Sequence, residues 1–262
     1  MSSKTASLRN VKPLRARVSA AEWQTRVDLA AAYRLCDLYG MSDMIYTHIS
    51  ARLPDEPRHF LINPHGLLFD EITASSLLKV DLDGKVLYQP ESDYGLQIAG
   101  YVIHSALYLA RADVNAAMHT HTTAGMAVSA LKCGLLPLTQ TALRFHGRLA
   151  YHDFNGPERD ASERERLAED LGALNVMILR NHGLLTVGPT VAETFTAMYG
   201  IERSCQAQVV AMACNTPLNE LPEAVVEKTM GMYAPSVIRR YGLLEWPALL
   251  RRLDKQDPSF RD

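Results

Sequence analysis

The 262-residue sequence contains no run approaching the roughly 18 uncharged apolar residues that a bilayer span requires. It also lacks an excess of positive charge: 27 Lys and Arg stand against 29 Asp and Glu, a formal net charge of −2. Such a surface does not concentrate phosphate backbones or anionic lipid, so neither nucleic acid nor membrane is an expected partner. Cysteine is scarce. Cys36, Cys133, Cys205 and Cys214 show no C-x-x-C pairing and sit in apolar or helical stretches, where a thiol acts as a small buried hydrophobe. A soluble protein of a reducing, cytoplasmic compartment is expected. Residues 1–18, with the basic stretch Lys12-Pro13-Leu14-Arg15-Ala16-Arg17, lack the apolar core and small-residue cleavage site of a secretion signal and read as a flexible arm. Internal repeats, low-complexity segments and long linkers are absent too, so residues 19–262 read as a single domain with C-terminal helices, 47% hydrophobic and able to bury a full core.

What is present is a mixture of helical and strand periodicities. Ser19 and Glu22 form a capping-box pattern, and Trp23, Val27, Ala30, Ala31, Leu35 and Leu38 recur at helical spacing, predicting a helix over 20–39. Short β-type runs follow at 46–53 and 59–62, around Pro54-Asp55-Glu56-Pro57, and at 79–82 and 85–88, around Asp83-Gly84. A helix is expected over 95–111, a buried strand over 116–121, and a small-residue helix over 122–133. Ser162 with Glu165 marks the cap of a helix reaching Leu171; 176–179 reads as a strand; Thr190 with Glu193 caps a long helix to about Cys214. Helices near 223–232 and 235–253 complete the chain. Hairpins inside an α/β pattern make the sheet mixed rather than purely parallel.

Nine histidines are the chemically conspicuous feature. His119-Thr120-His121 ends a strand-like run, where residues i and i+2 project to one face, so both imidazoles can converge on one point. Alone, an H-x-H pair fits two hydrogen-bonded histidines equally well. A second apolar strand ends in Asn181-His182-Gly183, with glycine letting the chain turn close to a ligand sphere. Three imidazoles with an open fourth position are the donor set of catalytic rather than structural zinc, and no cysteine lies nearby in sequence. His119, His121 and His182 are therefore the expected ligands of a divalent ion, zinc first, with manganese or iron as alternatives. His48 and His65 lie at strand ends and loops where ligand-contacting residues concentrate, although satisfied structural histidines fit as well. His104 falls within a helix. No chemistry demands His146 or His152, and His59 reads as exposed.

Four blocks together resemble the class II aldolase/adducin family: residues 45–53 (Ile-Tyr-Thr-His-Ile-Ser-Ala-Arg-Leu), 62–69 (Ile-Asn-Pro-His-Gly-Leu-Leu-Phe), 113–121 with the following Ala127-Val128-Ser129, and 180–185 (Arg-Asn-His-Gly-Leu-Leu). The similarity extends over roughly residues 20–215. It implies a three-layer α/β/α sandwich around a mixed, mostly antiparallel sheet. It further implies a divalent site on His119, His121 and His182 near a subunit interface, and a homotetramer. The sequence departs from the family's sugar-phosphate aldolases at several positions. Gly100 stands where they carry an acid/base glutamate, Ile98 and Ala99 stand where serines hold the substrate phosphate, about Thr141 falls at the place of a tyrosine, and His48 replaces a loop asparagine, as in the adducin-like branch.

These departures imply a carbon–carbon lyase acting, through a metal-stabilised enolate, on a small unphosphorylated oxo- or hydroxy-acid. Decarboxylation needs no initial base, whereas aldol cleavage would need a substitute, for which His48, His65, His104, Glu71 or Glu91 are candidates. Arg144, Arg148 and Arg180 would suit a substrate carboxylate. Two other readings stand beside this one: a non-catalytic adducin-like oligomerisation module, and a non-haem iron oxygenase.

Overall fold

A computed structural model describes residues 13–156, 161–234 and 236–262. Helix α1 (Ala20–Leu38) starts where expected, with Ser19 Oγ accepting the Glu22 amide at 3.0 Å. Glu22 does not close the capping box: its carboxylate accepts instead from Arg26 and from Lys79, each at 2.9 Å. Gly40, at φ 66°, ends the helix by a conformation that disfavours a side chain.

Eight strands form one sheet: β1 (His48–Leu53), β2 (Glu56–Ile62), β3 (Leu78–Asp81), β4 (Val86–Tyr88), β5 (Ala116–Thr120), β6 (Ala150–His152), β7 (Val176–Leu179) and β8 (Gly183–Gly188). Their order is β4-β3-β2-β1-β5-β8-β7-β6, and every pairing except the parallel β6–β7 is antiparallel. The remaining helices are α2 (Ile98–Ala110), α3 (Thr123–Ser129), α4 (Ala161–Leu171), α5 (Val191–Ala213), α6 (Glu223–Met232) and α7 (Glu245–Gln256).

Strand alternation sorts side chains into two cores, one on each face. Ile49, Ala51, Ala116 and Met118 pack with α1 and α5, while Ala117, between the last two, joins Val102 and Leu107 of α2 and Leu167 of α4. The architecture is thus the expected α/β/α sandwich with a mixed, mostly antiparallel sheet.

Several boundaries differ from the sequence reading. Leu14–Ala16, assigned to the arm, form a 3-10 turn with Leu14 buried, while residues 1–12 lie outside the described residues. Strand β2 begins at Glu56, so Pro57 lies inside a strand rather than in a turn. Helix α3 stops at Ser129, because the chain enters a turn closed by Gly134 at φ 61°. Helix α7 starts at Glu245, not near 235, since Gly242 at φ 96° interrupts any earlier helix; Pro235 itself and the Ser162 side chain lie outside the described residues. Strands β6 and β8 were not expected. β6 is three residues long, and β8 is buried on both faces, so it has no alternation to read.

Candidate metal centre

β5 and β7 are both adjacent to β8, and their C-terminal ends lie close together. His119 projects from β5 and His121 follows the strand end. His182 lies in the tight connection from β7 to β8, whose only positive-φ residue is Asn181 at φ 57°. Gly183 therefore does not serve the turn, as the sequence suggested. It is needed because a Cβ there would lie 2.3 Å from the Thr120 carbonyl oxygen.

The three Nε2 atoms face one another: His119 to His121 is 2.8 Å, His119 to His182 3.2 Å and His121 to His182 2.9 Å. His119 Nδ1 lies 2.9 Å from the Leu184 carbonyl oxygen, an acceptor only, so that nitrogen carries the proton. His121 Nδ1 lies 3.2 Å from Asp43 Oδ2 and is oriented in the same way. Both rings thus present Nε2 lone pairs to the same point, an arrangement that is repulsive unless a cation sits between them. A carboxylate or carbonyl on the far nitrogen is also the usual outer support of a metal-bound histidine. The donor set fits a divalent ion. Burial, followed by the neighbouring His182, His48 and His121, holds the His119 pKa well below its usual value, which keeps the imidazole in its ligating form.

His48 is paired directly across the ladder with His119, and their rings lie 5.2 Å apart. Its ring lies over Gly100: a Cβ on that glycine would fall 2.7 Å from His48 Cδ2 and 2.8 Å from Cγ. The imidazole of His48 therefore occupies the volume into which any side chain at position 100 would grow.

Behind His48 runs a buried hydrogen-bond chain. His48 Nδ1 is 2.9 Å from His104 Nε2, His104 Nδ1 meets Ser50 Oγ, and Ser50 Oγ is 2.7 Å from Tyr108 Oη. With Tyr108 donating to Ser50, Ser50 donates to His104 Nδ1, and His104 Nε2–H donates to His48 Nδ1. In this sense of the chain, His48 carries its own proton on Nε2. Burial, then the adjacent imidazoles, pushes His48 well below the usual histidine range, and burial lowers His104 to about 3; both are neutral.

The other candidates separate clearly. His104 has both ring nitrogens engaged and is fully buried, so it supports His48 from behind. His65 is half-buried in the loop after β2, close enough to depress the His48 pKa. Glu71 is exposed and accepts the Leu68 amide at 2.7 Å, and Glu91 is exposed. Thr141 precedes the 3-10 turn Ala142–Arg144. Arg180 pairs with Asp153 at 3.2 Å and stacks on Tyr151, whereas Arg144 and Arg148 line a cavity at the start of β7, the opposite strand end from His182. Ile98 and Ala99 place apolar side chains in the first turn of α2. His59, expected to be exposed, is partly covered and hydrogen-bonded to Glu56. His152 is buried with Asp170 at 2.6 Å, and His146 is exposed. Cys36 and Cys205 are buried as expected; Cys133 and Cys214 are exposed, against the expectation drawn from their apolar or helical surroundings in sequence.

Asp43, Ser50 and Tyr108 were not singled out from sequence. Only the position of Asp43 in a loop following a helix-terminating glycine could have drawn attention to it.

Residues 27–209 match the model of the family described as the class II aldolase and adducin N-terminal domain. The chain is similar to an aldolase II superfamily protein from Pseudomonas syringae, with 49% identity and a TM-score of 0.88 over 95% of this chain and 99% of that one. It is similar also to an L-fuculose 1-phosphate aldolase from Glaciozyma antarctica, at 27% identity and a TM-score of 0.81 over 96% of each chain. Alpha-adducin of Rattus norvegicus is 47% identical over 189 residues, which are 72% of this chain and 26% of that protein's length.

Proposed function

Because the chain belongs to the class II aldolase and adducin N-terminal domain family, we propose that it is a divalent-metal-dependent lyase acting on a small, unphosphorylated oxo- or hydroxy-acid, above all by decarboxylation of a 2-oxo acid whose departing carboxylate lies β to the carbonyl, so that the bonding electrons pass into an enolate, in preference to aldol cleavage. His119, His121 and His182 hold the ion, zinc first. When bound, the ion supplies Lewis-acid stabilisation of the negative charge that develops on the substrate oxygens.

The observation that carries this reading is the exchange of His48 for a side chain at position 100. Aldol cleavage requires a base to remove a hydroxyl proton. The buried chain from Tyr108 leaves His48 with a proton on Nε2, which makes it a hydrogen-bond donor and a poor base. Loss of carbon dioxide requires no proton abstraction, and a fixed neutral donor favours charge that appears only as the bond breaks. The side chains of Ile98 and Ala99 supply no hydroxyl donors, so a phosphate in their vicinity would recover fewer of the hydrogen bonds it loses with its hydration. His65, on the neighbouring loop, is available to contact the substrate.

The test compares metal-loaded protein with its His119→Ala and His48→Phe variants on a panel of oxo-acids and sugar phosphates, following carbon dioxide and aldehyde separately. Metal-dependent carbon dioxide release lost in both variants is the expected result. Efficient metal-dependent cleavage of a sugar phosphate would overturn the reading. Binding of no metal, together with no turnover, would favour the oligomerisation module that the similarity to alpha-adducin suggests, and oxygen-sensitive ferrous iron would favour an oxygenase. The assembly follows the family as a homotetramer of 29.1 kDa chains, measurable by light scattering. A cytoplasmic, reducing location accords with four free cysteines. Among the described residues no helix is long and apolar enough to cross a membrane.

A further inference from the structure

A cavity of about 310 Å³ opens at the N-terminal end of β7, bounded by Asn175 and Val176. The metal-centre histidine of the same segment, His182, lies beyond the other end of that strand. Four arginines line the cavity, and their partners differ. Arg240 is held at both ends by Glu193, each contact 2.7 Å, and Arg239 by Glu245 at 3.0 Å. Arg148 donates to two carbonyls at the end of α6, those of Tyr233 at 3.0 Å and Met230 at 2.9 Å, which carry no charge to offset its own. Arg144 has neither a carboxylate nor a carbonyl partner among the described residues. Its guanidinium stacks 3.5 Å from the Tyr241 ring centre, with the Phe145 ring at 5.3 Å.

The helix behind the cavity is shaped to admit this unpaired cation. Gly200 lies in the middle of the 23-residue helix α5, where glycine is unfavourable. A Cβ at that position would come within 2.9 Å of Arg144 Nη1 and 3.1 Å of Phe145 Cζ. Burial lowers the Arg144 pKa, a desolvation that the more distant Glu245, itself paired with Arg239, does not offset. A guanidinium lying flat on one ring keeps its edge donors free in a planar fork, a geometry that matches a carboxylate. Glu193, the one carboxylate of the lining, is neutralised by Arg240, and Leu174, Ile238 and Tyr233 give the cavity apolar and aromatic walls.

We propose that this cavity is a second ligand site, independent of the metal centre, for a small organic carboxylate with a flat apolar body. Its carboxylate takes the fork of Arg144, with Arg148 adding long-range attraction, and its body lies among Leu174, Ile238 and Tyr233. Inorganic phosphate shares the charge but leaves the apolar walls uncovered.

The test is calorimetric titration of the full-length protein with sodium benzoate, its neutral isostere benzamide and inorganic phosphate, each on wild type, Arg144→Met and His119→Ala. Expected is saturable benzoate binding with a Kd on the order of 1 mM, as suits so small a ligand. That binding should survive in His119→Ala, weaken about tenfold or more in Arg144→Met, and be absent for benzamide. Benzoate binding lost in His119→Ala would place it at the metal centre and overturn the proposal. So would equal affinity in Arg144→Met, phosphate binding more tightly than benzoate, or no saturable binding at all. If Arg144→Met does not fold, the wild-type contrast between benzoate and benzamide decides, together with Arg144→Lys, which keeps the charge but loses the fork and should bind more weakly. Failure of the lyase reading leaves all of these outcomes unchanged.

Discussion

Replacing Gly100 with alanine should stabilise a protein that lacks His48 and fail to stabilise one that retains it. Glycine within a helix is less favourable than alanine by up to about 1 kcal/mol, so the substitution carries an intrinsic gain in α2. In the presence of His48 the new Cβ would lie 2.7 and 2.8 Å from ring atoms, well inside the 3.4–4 Å of ordinary contact. The ring has little room to retreat: Nδ1 is bonded to His104 at 2.9 Å, and the His119 ring lies 5.2 Å away on the metal side. Overpacking of this kind costs roughly 1–3 kcal/mol, which cancels or exceeds the helix gain. With His48→Ala the obstacle is gone and the gain remains, so the two substitutions should couple by roughly 1–3 kcal/mol. Urea unfolding of the wild type, both single variants and the double variant, all in chelator so that metal binding does not enter, measures the coupling from midpoints at constant slope. A Gly100→Ala shift equal with and without His48 would refute the claim that the imidazole fills the volume above position 100.

Metal affinity should fall about 10–100-fold in Asp43→Asn, because the carboxylate that orients His121 through Nδ1 is lost; a chelator-competition titration with unchanged affinity would remove Asp43 from the site. Gly183→Ala should cost roughly 3 kcal/mol, since its Cβ would meet backbone, the Thr120 oxygen at 2.3 Å, rather than a movable side chain; a loss below about 0.5 kcal/mol by denaturation would contradict that packing. Stability of the metal-free protein should decline with acid. The unfolded chain protonates His104 below about pH 6.5, whereas burial holds the folded group neutral down to about 3, so the stability is fully present above 6.5 and is lost at about 1.4 kcal/mol per pH unit as pH falls through that window. His104→Gln should flatten the slope by about one proton, and an unchanged slope between pH 4 and 6, measured from urea midpoints at about half-unit steps, would count against a neutral buried His104.

How much of this was open to sequence reading depends on the range over which each feature is encoded. The His119–His121 pair was legible because the two-residue strand period is local, and the mixed sheet followed from hairpins within an α/β pattern, whereas the three-layer order was implied by the resemblance to the family. His182 was legible because an apolar strand-like run leads straight into Asn181-His182-Gly183, although the turn it occupies uses Asn181, not Gly183, for its unusual backbone. The sequence displays both His48 and Gly100 as departures from the aldolase pattern, and taken separately each reads as a loss: an asparagine gone, a glutamate gone. Only the register that pairs His48 with His119, and the seat of α2 across β1, reveals that the two changes fill one volume. The same register brings Ser50 beside His104 and Tyr108, so the hydrogen-bond chain behind His48 is built from residues that no local pattern connects. Arg144 gives the opposite lesson. Its guanidinium, like that of Arg148, suits a substrate carboxylate, and the fold carries both arginines to the far end of β7 from His182. A residue's type thus indicates which chemistry it can perform, while the pairing of strands decides where that chemistry is available.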